Sequence, residues 1–173
     1  MANKPVAIVM GSDSDWPIME LCLKQLEELG VGCSVEIMSS HRSPERVREF
    51  ARTARDNGFE VLIAAAGLSA TLAGQVAANT ILPVIGVPLA SGPLQGVDAL
   101  LSTVQMPPGV PVATVGIGSA GAKNAALLAA EIIARHDTKV EAAIQRYKDD
   151  LAASVEQKNQ ELRQRLAQEH EMP

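Results

Sequence analysis

The strongest constraint on the fold is a repeated exchange between two periodicities along the chain. Five short apolar runs read as strands: "PVAIVMG" (5–11), "CSVEIM" (33–38), "EVLIAAAG" (60–67), "PVIGVP" (83–88) and "VPVATVGIG" (110–118). Continuous apolar runs of this length, without polar alternation, fit strands buried on both faces. Between them the spacing changes to that of helices. One runs to about Leu29, with Ile18, Cys22, Leu26 and Leu29 on one face, Pro17 in its first turn and Gly30 just past its end. A second starts at Ser43-Pro44-Glu45, with Ser43 as N-cap, buries Val47, Phe50, Ala51 and Ala54, and ends at Gly58. A small-residue helix is expected near 70–79, and a very apolar one over 120–134 follows the last strand. Strands alternating with helices imply right-handed crossovers, hence a three-layer, doubly wound α/β domain with a parallel sheet.

The remaining tail, 138–168, has Val140, Ile144, Tyr147, Leu151, Val155, Leu162 and Leu166 at helical spacing among mostly charged or polar residues. The expected organisation is therefore a single α/β domain over residues 1–137. A C-terminal amphipathic helical extension over 138–173 follows, packing on its own domain or on a neighbouring subunit. The 120–134 helix is apolar nearly all round, which implies burial between layers or between subunits.

Charge and composition narrow the function. A formal net charge of −5 disfavours nucleic-acid binding, which rests on basic contacts to phosphates. Aromatic residues form only 2% of the chain, too few for a base-stacking platform. No stretch approaches the roughly 18 apolar residues of a membrane span. The opening "MANKPVAIVMG" enters a strand at once without a signal-like segment, so a soluble cytoplasmic protein is expected. Cys22 and Cys33 are the only cysteines, and no close set of ligands is present, so no metal site is expected. Both read as small buried hydrophobes.

In open α/β sheets, ligands bind where strands lead into helices. The relevant loops are "GSDSDWP" (11–17), "SSHRSP" (39–44), "AGLSATLAG" (66–74), "PLASGPLQG" (88–96) and "GIGSAGAKN" (116–124), and all five are expected to converge at one edge. The first lacks both the dinucleotide fingerprint and the lysine of a P-loop. Its Ser12 and Ser14 can meet a phosphate, while Asp13 and Asp15 can cap the helix or accept hydrogen bonds from ribose. The second places His41, a general acid or base near neutrality, beside the anion-binding guanidinium of Arg42. The third offers only small residues, which suits a flat or very small ligand and equally suits tight packing. The fifth, with Lys123, reads as a phosphate cradle or a plain strand-to-helix turn. His136 and His170 are expected in solvent.

Taken together, "VAIVMGSDSDW", "SSHRSPE", "AAAGLSATLAG", "PVIGVP", "GVDALLSTVQMPPGVPVATVGIG" and "AALLAAEI" resemble the class I N5-carboxyaminoimidazole ribonucleotide mutases of purine biosynthesis. The resemblance covers about residues 5–137. It implies a flavodoxin-like domain assembled into a homo-octamer, and a ribonucleotide substrate whose carboxylate moves from the exocyclic nitrogen to the ring carbon. No metal, ATP or organic cofactor is implied. The pattern puts His41 in the proton-transferring role and Ser12, Asp15, Ser39 and Arg42 on the substrate. Gly67, Ser69, Ala70 and Thr71 would hold the carbon dioxide and ring. Many members have "GGAAHLPG" where this chain has "GLSATLAG", so Thr71 stands at the position of a second histidine and Ala73 at that of a proline. Class II enzymes, which use free carbon dioxide, carry lysine at the position of Arg42. The alternatives are a carboxylase using free carbon dioxide and a non-catalytic nucleotide-binding domain.

Overall fold

The strand Val6–Met10 (β1) has no polar side chain, and all five of its residues are buried. That is possible only with helices on both faces and strands on both edges, and the computed structural model, which describes residues 4–170, has that arrangement. The other strands are Cys33–Ile37 (β2), Val61–Gly67 (β3), Val84–Leu89 (β4) and Ala113–Thr114 (β5). They form one parallel sheet in the order β2-β1-β3-β4-β5. This is the flavodoxin-like order, with its reversal of direction at β1 and β3.

The helices are Trp16–Glu28 (α1), Pro44–Thr53 (α2), Leu72–Ala77 (α3), Val97–Val104 (α4), Gly118–Ile133 (α5) and Thr138–His170 (α6). Successive strand residues point to opposite layers. Val6, Ile8 and Met10, with Val61, Ile63 and Ala65, pack against α1 and α5 through Met19, Cys22, Leu26, Ala122, Ala126 and Ala129. Ala7, Val9, Leu62 and Ala64 pack against α2 and α3 through Val47, Ala51, Leu72, Ala73 and Val76. The alanines of α5 let it lie close to the sheet. At Gly121 a Cβ would collide with the Gly116 carbonyl.

The structure differs from the sequence reading at three elements. The last strand is expected over 110–118 but pairs only at Ala113–Thr114. Pro111 cannot donate to a ladder, and Gly116 and Gly118 favour a turn, so this edge strand is short. The segment "VDALLSTV" forms α4, which the spacing analysis passes over because eight residues give barely two turns to judge. The second helix ends at Thr53, and a further turn carries the chain to Gly58, whose φ is +84°.

The first turns of α6 bury Val140 and Ile144 in the α1–α5 layer, with Ala143 and Tyr147 partly covered. Beyond them, Leu151, Val155, Leu162 and Leu166 are exposed along a helix about 50 Å long. Cys22 is fully buried, and burial pushes its thiol up to about 12, as expected of an inert packing residue. Cys33 is only half-buried. His136 is exposed and pairs with Glu60 at 2.9 Å, and the side chain of His170 lies outside the described residues.

Gly86, inside β4, marks a close approach between the sheet and its covering segments. A Cβ there would strike the Thr103 methyl and lie 2.9 Å from Val112 Cγ1. Gly86→Ala is expected to destabilise the fold by about 1–3 kcal/mol through overpacking, measured as a lower urea midpoint with an unchanged slope.

Candidate active site

The loops after β1, β2 and β3 meet over the carboxyl end of β1, where the strand order reverses. They line a cavity of about 480 Å³ with Gly11, Ser12, Ser14, Asp15, Ser39, Ser40, His41, Arg42, Ala66, Gly67, Leu68, Ser69 and Leu72, and Ser91 comes from the loop after β4.

The β1 loop is organised by its own hydroxyls and carboxylates. Asp13–Asp15 is a turn of 3₁₀ helix leading into α1, with Ser12 as N-cap. The Ser14 N–H donates to Ser12 Oγ (3.3 Å), and the Ser12 N–H donates to Asp15 Oδ2 (3.0 Å), a reciprocal capping box. The capping role of Asp15 is therefore realised, and its carboxylate also lines the cavity. Asp15 is only 6% exposed. Burial pushes its carboxyl above the ordinary value, against hydrogen bonds from the Ser12 and Gly11 backbone. The Asp13 charge adds to the rise and Arg42 opposes it.

In the β2 loop, the Met38 N–H donates to the Met10 carbonyl (2.8 Å), which extends the β1–β2 ladder to the edge of the site. Ser43 precedes Pro44 at the start of α2 as expected, but its side chain does not cap that helix. Instead Ser43 Oγ accepts from the Ser39 N–H (3.0 Å) and donates to the Ser39 carbonyl (3.1 Å), closing the turn on itself. Ser39 Oγ in turn accepts from the Arg42 N–H (3.2 Å) and from Arg42 Nε (3.4 Å). Arg42 Nη2 donates to the Gly11 carbonyl (2.9 Å), tying the second loop to the first. These contacts fix the guanidinium at the cavity wall.

His41 is exposed, and its Nε2 lies 3.2 Å from Thr71 Oγ1. Thr71 Oγ1 is also 2.8 Å from Ser40 Oγ. In the β3 loop, Leu68 adopts φ +55°, which an L side chain rarely takes, and it presses on Gly92. Ser91 occupies the space that a Cβ on Gly67 would need, so the third and fourth loops interlock.

Of the residues singled out from sequence, Ser12, Asp15, Ser39, His41, Arg42, Gly67 and Ser69 line the one cavity. Thr71 joins it through His41, whereas Ala70 is buried behind the wall. The expected convergence of all five loops is incomplete. The fourth contributes Ser91, and the fifth, with the exposed Lys123, does not line the cavity. Ser14, read from sequence with Ser12 as a phosphate-meeting hydroxyl, lines it too, and Ser40, Leu68 and Ser91 are additional lining residues. The only sequence signal of these last three is their place in loops that follow strands.

The family model described as AIR carboxylase matches residues 5–154, which includes every lining residue. The chain belongs to the AIR carboxylase family. Curated AIR carboxylase relatives include the N5-carboxyaminoimidazole ribonucleotide mutase of Pyrococcus abyssi, 53% identical over 84% of this chain and 83% of that protein. The enzyme of the same name from Escherichia coli strain K12 is 53% identical over 80% of this chain and 83% of its own length. Among solved structures, PurE from Treponema denticola superposes with a TM-score of 0.82 at 29% identity, covering 91% of this chain and 97% of that one.

The raised carboxyl of Asp15 has a stability consequence. Its folded-state value lies above the ordinary 3.8, so the folded chain holds the proton more tightly than the unfolded one. Stability from this group is present at low pH and falls as pH rises from the ordinary value through the raised one. Asn at this position can still accept from the Ser12 N–H. Asp15→Asn is therefore expected to be at least as stable as the parent chain at pH 7 and to lose this slope, measured by urea unfolding between pH 3 and 7.

Proposed function

We propose that this chain is an N5-carboxyaminoimidazole ribonucleotide mutase of purine biosynthesis, an isomerase that moves a carboxylate within one ribonucleotide. The observation that carries the reading is the meeting of His41, Arg42 and Asp15 around one cavity, in a chain 53% identical to mutases over four-fifths of its length.

The chemistry follows from these groups. Arg42 offers the substrate phosphate a planar set of donors, next to the start of α2, which also favours an anion. Ser12 and Ser39 add hydroxyls, and Asp15 accepts from ribose. His41 delivers a proton to the exocyclic nitrogen, the bond from that nitrogen to the carboxylate carbon breaks, and carbon dioxide departs. The electron pair left on the aminoimidazole makes the ring carbon nucleophilic. Carbon dioxide, retained beside Gly67 and Ser69, is attacked by that carbon, and the displaced ring proton returns to His41. Nothing is oxidised or reduced, and the proton balance closes on one histidine. Holding carbon dioxide beside the ring replaces a bimolecular encounter.

The assembly is proposed to be a cytoplasmic homo-octamer. Two exposed apolar faces support association: Leu94, Val97, Leu101 and Val104 on and before α4, and the distal stripe of α6, which would rest on a neighbouring subunit. Among the described residues, no helix is long and apolar enough to cross a membrane. Sizing with light scattering tests the assembly, and a monomer would refute it.

For the reaction, His41→Asn is expected to lower kcat by about 10²–10⁴-fold while substrate still binds. Labelled bicarbonate in solution separates the mutase from a carboxylase. The mutase carries its substrate's own carbon into product, and extensive incorporation of solution label would overturn the assignment.

A further inference from the structure

Thr71 is the one side chain that hydrogen-bonds the imidazole of His41 among the described residues, and it does so from across the sheet edge. His41 and Ser40 lie after β2, Thr71 lies after β3, and β1 stands between those strands. Two inter-strand spacings separate the loops, roughly 10 Å. The contact therefore bridges the top of the β1 loop, and both of its distances, 2.8 Å and 3.2 Å, are hydrogen-bonding distances.

A hydroxyl both donates and accepts, and a neutral imidazole nitrogen does either according to its tautomer. With neutral His41, Ser40 can donate to Thr71 and Thr71 to Nε2, which then acts as acceptor and leaves the proton on Nδ1. With protonated His41, Nε2 donates to Thr71 and Thr71 to Ser40. Both arrangements keep both hydrogen bonds without moving a heavy atom, and the second leaves the Ser40 hydroxyl free to donate into the cavity. We infer that Ser40 and Thr71 form a hydroxyl chain of reversible polarity. It holds the His41 ring in place and carries its proton. The Nε2–H proton passes to Thr71 Oγ1, the Thr71 proton to Ser40 Oγ and the Ser40 proton into the cavity that Ser40 lines, and the return runs the same path backwards.

Thr71 thus positions the ring and relays its proton, a role that rests on His41 being the proton carrier. A second imidazole at this position would itself titrate and compete for the proton. A hydroxyl does not titrate in the working range, so of these three side chains only His41 stores the proton, and the hydroxyls pass it on.

The test compares Thr71→Val, which keeps the shape and removes the hydroxyl, with Thr71→Ser, which keeps the hydroxyl. Thr71→Val is expected to lower kcat by about 10-fold or more, with KM within about 2-fold, since the group acts on proton transfer. Thr71→Ser is expected to stay within about 3-fold of the parent chain. Thermal melts check that both variants fold. In 15N spectra of the imidazoles, neutral His41 of the parent chain is expected with its proton on Nδ1, and Thr71→Val to shift towards the Nε2-protonated form. Parent-like turnover in Thr71→Val, or an Nε2-protonated neutral His41 in the parent chain, overturns the hydroxyl chain. His41→Asn run alongside keeps the two ideas apart. If it retains full turnover, the proton-carrier assignment fails, and if it alone is inactive, only the role of Thr71 fails.

Discussion

β1 is hydrogen-bonded along both edges, to β2 and β3, and is covered on both faces by helices. Its backbone and side chains have no slack, so the point where the chain leaves it at Gly11 is fixed by the core. The neighbouring strands diverge from that point into separate loops, because the order of the sheet reverses there. The opening between them is a product of topology, available to any sequence that pairs its strands this way. What is particular to this chain is how the opening is furnished. Hydroxyls and backbone groups organise the first two loops, and the Arg42–Gly11 contact joins them.

The strands β1, β3 and β4 were legible because burial on both faces leaves an unmistakable apolar run. α1 and α2 carried ordinary helix periodicity with clear start residues, though α2 stops at Thr53, short of the Gly58 that closes its last turn. The edge was harder. β5 needs only two paired residues to finish the sheet, so apolar content overstated its length, and α4 was too brief to show a period. His41 and Arg42 stood out because their chemistry is unusual for a turn after a strand. Ser40, Ser91 and Leu68 did not, because serine and leucine are unremarkable in loops and gain meaning only from what lies opposite them. Thr71 was marked as a departure from a pattern, but its contact with His41 depends on the register of two strands 30 residues apart in sequence and could not be read locally.

The site also divides its costs unevenly. The base of the cavity is apolar and tightly packed, and its one strained electrostatic element is the buried carboxylate of Asp15. Burial makes ionisation of that group more costly than in water, and the neighbouring Arg42 charge offsets part of the cost. The hydroxyl-rich loops, by contrast, satisfy one another through short-range hydrogen bonds.

The fit of Ser91 into the space above Gly67 reaches beyond the cavity it shapes. Two positions 24 residues apart share one volume, so Gly67 cannot grow while the side chain of Ser91 stays in place. A lineage that gains a methyl group at 67 must first retract the side chain at 91, and one that enlarges 91 is confined to glycine at 67. The variation open to this wall is therefore paired, and the order in which the two changes occur decides whether the intermediate folds.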